Sequence, residues 1–172
     1  MDFLQLSKKR YSVRKYENEK VEDEKLSQIL EAARVAPTAG NIQPQRLIVV
    51  KTERNLEKLK KGANVYGAPL AIIICVDRNQ SWKRPFDSKD IGDIDAGIVG
   101  THIVLQAEEL GLGTIWVGYL DPKAIKDEFN IPDNVEPVSI IGVGYAKGRP
   151  ASPDRHSTER KPLEKWVYNE SF

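Results

Sequence analysis

Cysteine is all but missing from this chain. Its one copy, Cys75, lies inside the apolar run Leu70-Ala71-Ile72-Ile73-Ile74-Cys75-Val76, where it reads as a small buried hydrophobe. No intramolecular disulfide can form. One cysteine and two histidines supply neither a structural zinc set nor a Cys/His nucleophile pair. Net charge is missing too: 26 basic residues stand against 25 acidic ones, leaving +1 at pH 7, so no strong field of one sign invites nucleic acid. No apolar run approaches the roughly 20 residues needed to cross a bilayer, and the start lacks the apolar core of a signal peptide. The expectation is a cytoplasmic protein with neither a membrane nor a nucleic-acid partner.

What is present is enough for one domain, residues 1–172, with a core of its own. Asp2 to Ser7 reads as a short helix delivering the chain to the basic cluster Lys9-Arg10-Tyr11-Ser12-Val13-Arg14. Val21 to Val35 carries Leu26, Ile29, Leu30 and Ala33 at helical spacing, and Pro37 must end that helix. An irregular loop through Pro44 leads to a strand at Leu47–Val50 and a helix at Glu53–Lys60. Leu70–Val76 is the clearest strand, rich in β-branched residues and apolar at every position. From Arg78 to Asp90 the pattern breaks, which predicts a lid or partner-facing loop.

Ile91 to Leu110 predicts a long helix apolar on several faces, hence central, closed by Gly111. Thr114–Val117 follows as a short strand, and Asp121-Pro122 opens a helix to Phe129. Val138–Tyr145 is another strand. The tail beyond Gly148 is charged and proline-rich, then turns apolar at Leu163, Trp166, Val167 and Tyr168, so a dock on its own or another subunit is expected. Strands alternating with helices around one buried helix imply an α/β or α+β sandwich with a central sheet. Gly111-Leu112-Gly113 follows a helix and precedes a strand, the reverse of a dinucleotide-binding glycine loop.

The basic cluster is a local device. An arginine fork matches phosphate oxygens bidentately and a serine hydroxyl can take a third, although a solvated basic turn would have the same composition. No constellation of protein groups suggests acid, base or nucleophile. His102 reads as a core histidine, His156 as solvated, and Asp93 and Asp95 as complements to the helix dipole. Any chemistry must therefore come largely from a cofactor.

Arg10-Tyr11-Ser12-Val13-Arg14, Ala36-Pro37-Thr38-Ala39-Gly40-Asn41-Ile42-Gln43-Pro44, Gly67-Ala68-Pro69, Gly111-Leu112-Gly113-Thr114-Ile115-Trp116-Val117-Gly118, Gly142-Val143-Gly144-Tyr145 and Arg160-Lys161-Pro162-Leu163-Glu164 occur in one order along nearly the whole chain. As an ordered set they resemble the nitroreductase family of flavoproteins. The resemblance implies an α+β fold with a mixed, mainly antiparallel central sheet, in an intertwined homodimer whose C-terminal tail, 150–172, docks on the partner subunit.

It further implies FMN at each of two interface sites. Arg10, Ser12 and Arg14, joined by Arg160, would hold its phosphate and ribityl chain, Tyr11 would be a further cofactor-binding residue, and Pro37, Thr38 and Asn41 would approach the flavin, in this family often from the partner subunit. Asn64 and Tyr66 would lie near the ring, and Ile115, Trp116, Val117 and Gly118 along it through backbone groups. The chain departs from the family at Gln45, where a tryptophan commonly follows the Gln-Pro pair. The activity implied is passage of hydride from NAD(P)H through FMN to a nitroaromatic or quinone, with no catalytic side chain. A flavin-sequestering protein and a cofactor-free dimerisation module fit the same residues.

Overall fold

The computed structural model describes residues 2–172. Helix α1 (Phe3–Lys9) starts where the Asp2 carboxylate accepts the Gln5 amide at 2.9 Å. Helix α2 (Asp23–Arg34) buries Leu26, Ile29 and Ala33, the stripe its spacing foretold. Strand β1 (Gln45–Val50) and helix α3 (Glu53–Leu59) lead to β2 (Leu70–Asp77), which is buried at every position. The long helix α4 (Gly92–Glu109), strand β3 (Gly113–Val117), helix α5 (Pro122–Phe129), strand β4 (Val135–Gly144) and helix α6 (Arg155–Glu159) complete the order.

The four strands form one sheet in the order β1-β2-β4-β3, and all three strand pairs are antiparallel. Its parallel component is a single bridge, Ser12 to Thr114, where the Val13 amide donates to the Thr114 carbonyl at 2.8 Å. That bridge lays the N-terminal segment along the β3 edge.

Side-chain alternation divides the core. Leu70, Ile72, Ile74 and Val76 face a cluster with Ile29 of α2 and Val99 and Ile103 of α4. Ala71, Ile73 and Cys75 face the other way, onto Leu59 of α3 and Ile125 of α5. Each fully buried isoleucine contributes about 1.5–3 kcal/mol. Cys75 is buried as expected, which pushes its thiol up to about 12. Among the described residues no helix is long and apolar enough to cross a membrane.

The 78–90 segment is an ordered projection. Arg78 at its base pairs with Asp90 at 3.1 Å and with Asp93 and Glu136 at 2.6 Å each. The backbones of Lys83 and Asp90 form an antiparallel bridge, and Arg84 forks onto Asp87 across the tip. Phe86 at that tip is 95% exposed.

The tail divides in two. Helix α6 docks on its own chain through Arg155 and His156, whereas Leu163, Trp166, Val167, Tyr168 and Phe172 are exposed. His156 stays partly exposed while its Nε2 lies 3.1 Å from the Lys8 carbonyl. His102 is not a core residue: it is half-buried in a groove between α2 and α4 beside Gln28, Glu31 and Gln106.

Candidate functional site

At the β3 edge, the bridge from Ser12 to Thr114 brings the basic segment against Trp116. Arg10, Ser12 and Trp116 line a cavity of about 380 Å³ with Phe3 and Ser7 of α1 and Thr101 of α4. Alternation along β3 turns the Trp116 ring to the α4 side and the side chains of Ile115 and Val117 into the opposite core. Those two offer the cavity edge only backbone, and the exposed Gly118 leaves open space where a Cβ would stand.

The Arg10 guanidinium is half-buried. Burial, then the charge of Arg155 and more weakly that of Arg160, hold it below the usual arginine range, with Glu108 pulling the other way. Three cations therefore crowd one corner. Arg160, expected from sequence to join Arg10, acts on it here through charge alone and lines a separate surface beside Leu163 and Trp166. Lys9 answers Glu108 at 3.2 Å.

Arg155 was not foreseen. Its guanidinium donates to the carbonyls of Arg10 at 2.7 Å, Lys8 at 3.1 Å and Ser152 at 2.7 Å, so it clamps the backbone that carries Arg10. Nothing in its charged, proline-rich surroundings separated it from its neighbours.

Arg14 points elsewhere. It is exposed, and its guanidinium lies 5.7 Å from the Tyr66 ring centroid. Asn64 closes the same turn, its Oδ1 accepting the Tyr66 amide at 2.7 Å, with Tyr66 at a φ of 57°. Tyr11 is half-buried beside this strip.

Pro37, Thr38 and Asn41 are not brought to this corner within one chain. Their loop feeds β1, the opposite edge of the sheet, and meets α4 at Asp95, whose Oδ1 accepts the Ala39 amide at 2.9 Å. The basic segment meets the same helix at Glu108. At about 1.5 Å of rise per residue the two attachments stand about 20 Å apart.

The loop is internally braced. Thr38 Oγ1 accepts the Gln43 amide at 3.1 Å, and Gln43 Nε2 donates to the Asn41 carbonyl at 3.0 Å. Gly40, Asn41 and Gln43 all take left-handed φ, at 57°, 55° and 58°. Glycine adopts this freely, but for Gln43 it costs about 1–2 kcal/mol. At the loop's end Arg46 Nη1 donates to the Gln43 and Gln45 carbonyls, at 3.2 and 2.9 Å.

The arrangement is an antiparallel α+β fold with a cavity at one sheet edge that is lined by Arg10, Ser12 and Trp116. Comparison with known proteins places it more narrowly. A sequence model of the nitroreductase family matches residues 7–64 and 52–145. A crystal structure of a nitroreductase family protein from Clostridium difficile 630 is 51% identical and superposes with a TM-score of 0.98 over 100% of both chains. An FMN-dependent nitroreductase from Clostridium difficile R20291 is 32% identical, with a TM-score of 0.83 over 99% of this chain and 100% of that one. A Methanothermobacter thermautotrophicus protein with the provisional name NADH dehydrogenase/NAD(P)H nitroreductase is 36% identical, covering 96% of this chain and 88% of its own. The chain belongs to the nitroreductase family and is an oxidoreductase of that type.

Proposed function

We propose that this chain, as a homodimer, binds FMN and uses NAD(P)H to reduce electron-poor acceptors such as nitroaromatics or quinones. The observation that carries the reading is the cavity where Arg10, Ser12 and Trp116 meet, with Arg155 and Arg160 adding charge. The like-charge crowding there fits a phosphate. A dianion set among the guanidiniums would relieve their mutual repulsion, and among the described residues Glu108 is the carboxylate that offsets the charge at Arg10.

In this reading Arg10 and Arg160 take the phosphate bidentately, and the Ser12 hydroxyl adds a donor, the Ser7 hydroxyl being committed to the Phe3 carbonyl at 2.8 Å. Arg155 keeps the Arg10 backbone in place. The Ile115-Trp116-Val117-Gly118 edge presents backbone amides to the ligand's flat end, where donors steady charge without reorganising. Arg14, Asn64 and Tyr66 flank the same edge. Held there, the isoalloxazine would supply the hydride and electron transfer between NAD(P)H and the acceptor.

The dimer reading rests on geometry and on exposed apolar surface. Pro37, Thr38 and Asn41 lie at the far corner of their own chain, so they reach a flavin at β3 only from a second copy. Phe3 and Leu4 of α1, Ile94 of α4 and the tail from Leu163 to Phe172 are all exposed in the single chain. Burying them against a partner removes a large apolar area from water.

The test is the visible spectrum of the purified protein, before and after anaerobic NADH or NADPH. Flavin bands that bleach support the reading. Bands that persist with both donors point to a flavin-sequestering protein. Protein that stays colourless after incubation with FMN overturns the cofactor assignment.

A further inference from the structure

Asp95 has no place in the reading above, yet it is among the most deeply enclosed charged side chains, at 1% exposure. From the first turn of α4 its Oδ1 takes the Ala39 amide at 2.9 Å, while Oδ2 finds no hydrogen-bond partner among the described residues. A surface complement to the helix dipole would be neither buried nor committed to a loop 56 residues away in sequence.

What Asp95 grips is strained. The bonds from Thr38, Asn41 and Gln43 fold the loop onto itself without attaching it to the body. Three of its residues sit in left-handed conformations, two of them with side chains. Outside the loop, Trp82 of the 78–90 projection packs near Gly40, 3.8 Å from where a Cβ would stand. Among the described residues the Asp95–Ala39 hydrogen bond is the one that ties the loop's centre to α4. Strain of this kind persists only where the surroundings over-determine it.

We propose that Asp95 is a positioning residue that holds the 37–43 loop in the shape that presents Thr38 and Asn41 to a ligand. The inference rests on the proposed flavin function for what that ligand is. Asp95 acts at the end away from the phosphate, so it governs recognition of the ring system and leaves the phosphate contacts alone.

The experiment uses the full-length protein with Asp95→Ala, Asp95→Asn and Arg10→Ala, titrated with FMN and with riboflavin, alongside amide hydrogen exchange over residues 37–43. Asp95→Ala is expected to weaken both ligands by the same factor, about tenfold, and to speed exchange in the loop by a similar factor. Asp95→Asn keeps the acceptor for the Ala39 amide and stays within about threefold of the parent on both readouts. Arg10→Ala weakens FMN alone.

If Asp95→Ala merely lowers the melting temperature, with affinities and loop exchange unchanged, the proposal falls. A drop in FMN affinity without a drop in riboflavin affinity also overturns it. Should the parent bind neither flavin, the functional reading fails and loop exchange alone decides for Asp95: acceleration in the alanine variant, reversed in the asparagine one, supports it, and no change overturns it.

Discussion

The indole of Trp116 rests on the backbone of α4 at Gly100, so closely that a Cβ there would lie 2.2 Å from the ring carbon Cη2. Glycine is required at this position by contact, since nothing in its backbone conformation demands it. Gly100→Ala must push the ring toward the cavity it shares with Arg10 and Ser12, or push α4 off the sheet. A loss of about 1–3 kcal/mol in denaturant unfolding is expected, with a shift in tryptophan fluorescence. An unchanged melting curve and spectrum would show that the ring has room to yield.

Arg10 and Arg14 alternate along one extended segment but do different work. Arg10 lines the cavity, whereas Arg14 leans on Tyr66. Arg10→Ala is expected to weaken FMN by about 1.5–3 kcal/mol, the worth of a charge-assisted hydrogen bond, and Arg14→Ala by less. Isothermal titration of the apoprotein ranks them. Equal losses would place Arg14 on the phosphate as well.

The 78–90 projection hangs on Arg78 and its three carboxylates. Arg78→Ala leaves Asp90, Asp93 and Glu136 to repel one another across a base that has lost its cation. Limited proteolysis should then cut within 79–90 well before the core melts, because β2 and α4 on either side remain buried. Resistance equal to the parent's would show that Ser81, Lys83 and Arg84 suffice to hold it.

Cys75 sets a limit at high pH. Its folded thiol, raised to about 12 from an ordinary value of 9.0, holds its proton more tightly than in the unfolded chain. Stability is therefore fully present below pH 9 and is lost as the pH climbs from about 9 toward 12, at a slope of up to about 1.4 kcal/mol per pH unit. Tyr16, raised in the same sense by burial, adds to the loss. Cys75→Ala should flatten the curve in urea titrations between pH 8 and 11. Native protein should also resist iodoacetamide at pH 8, and a fast reaction would show that the core opens there.

The helices and inner strands were legible because each carried a local cause. Asp121-Pro122 marked the start of α5, with the Asp121 carboxylate taking the Lys123 and Ala124 amides. The apolar run of β2 could only be buried. Strand ends were harder to see. β1 begins two residues earlier than expected, at Gln45 and Arg46, polar residues held in register by Val76 and Cys75.

β4 begins three residues early and runs through Pro137, which sequence rules place outside a central strand. The structure admits it because β3 pairs only with residues 140–144, leaving one side of the strand open, and because a register shift between Ile74 and Cys75 falls opposite.

The site was legible in composition but not in arrangement. The cations, the serine and the glycine-rich stretch announced themselves as types. Arg155 and Asp95 did not, since an arginine in a charged tail and an aspartate near a helix start look ordinary until the chain is folded. Gln45, where a tryptophan was expected, proves to be a partly buried strand residue whose Oε1 has no partner among the described residues. Its neighbour Arg46 is drawn into bracing the loop and pairing with Asp77 at 3.4 Å.

The strand order puts the Arg10 corner on one edge of the sheet and the Asn41 loop on the other, and in the proposed dimer this makes each site a joint possession of two chains. Defects in the two halves are then separable by genetics. A chain crippled at Arg10 and a chain crippled at Asn41, each inactive alone, would form mixed dimers in which one site inherits both lesions and the other inherits neither. Co-expression would restore activity by complementation between two inactive alleles, without a single wild-type chain in the cell.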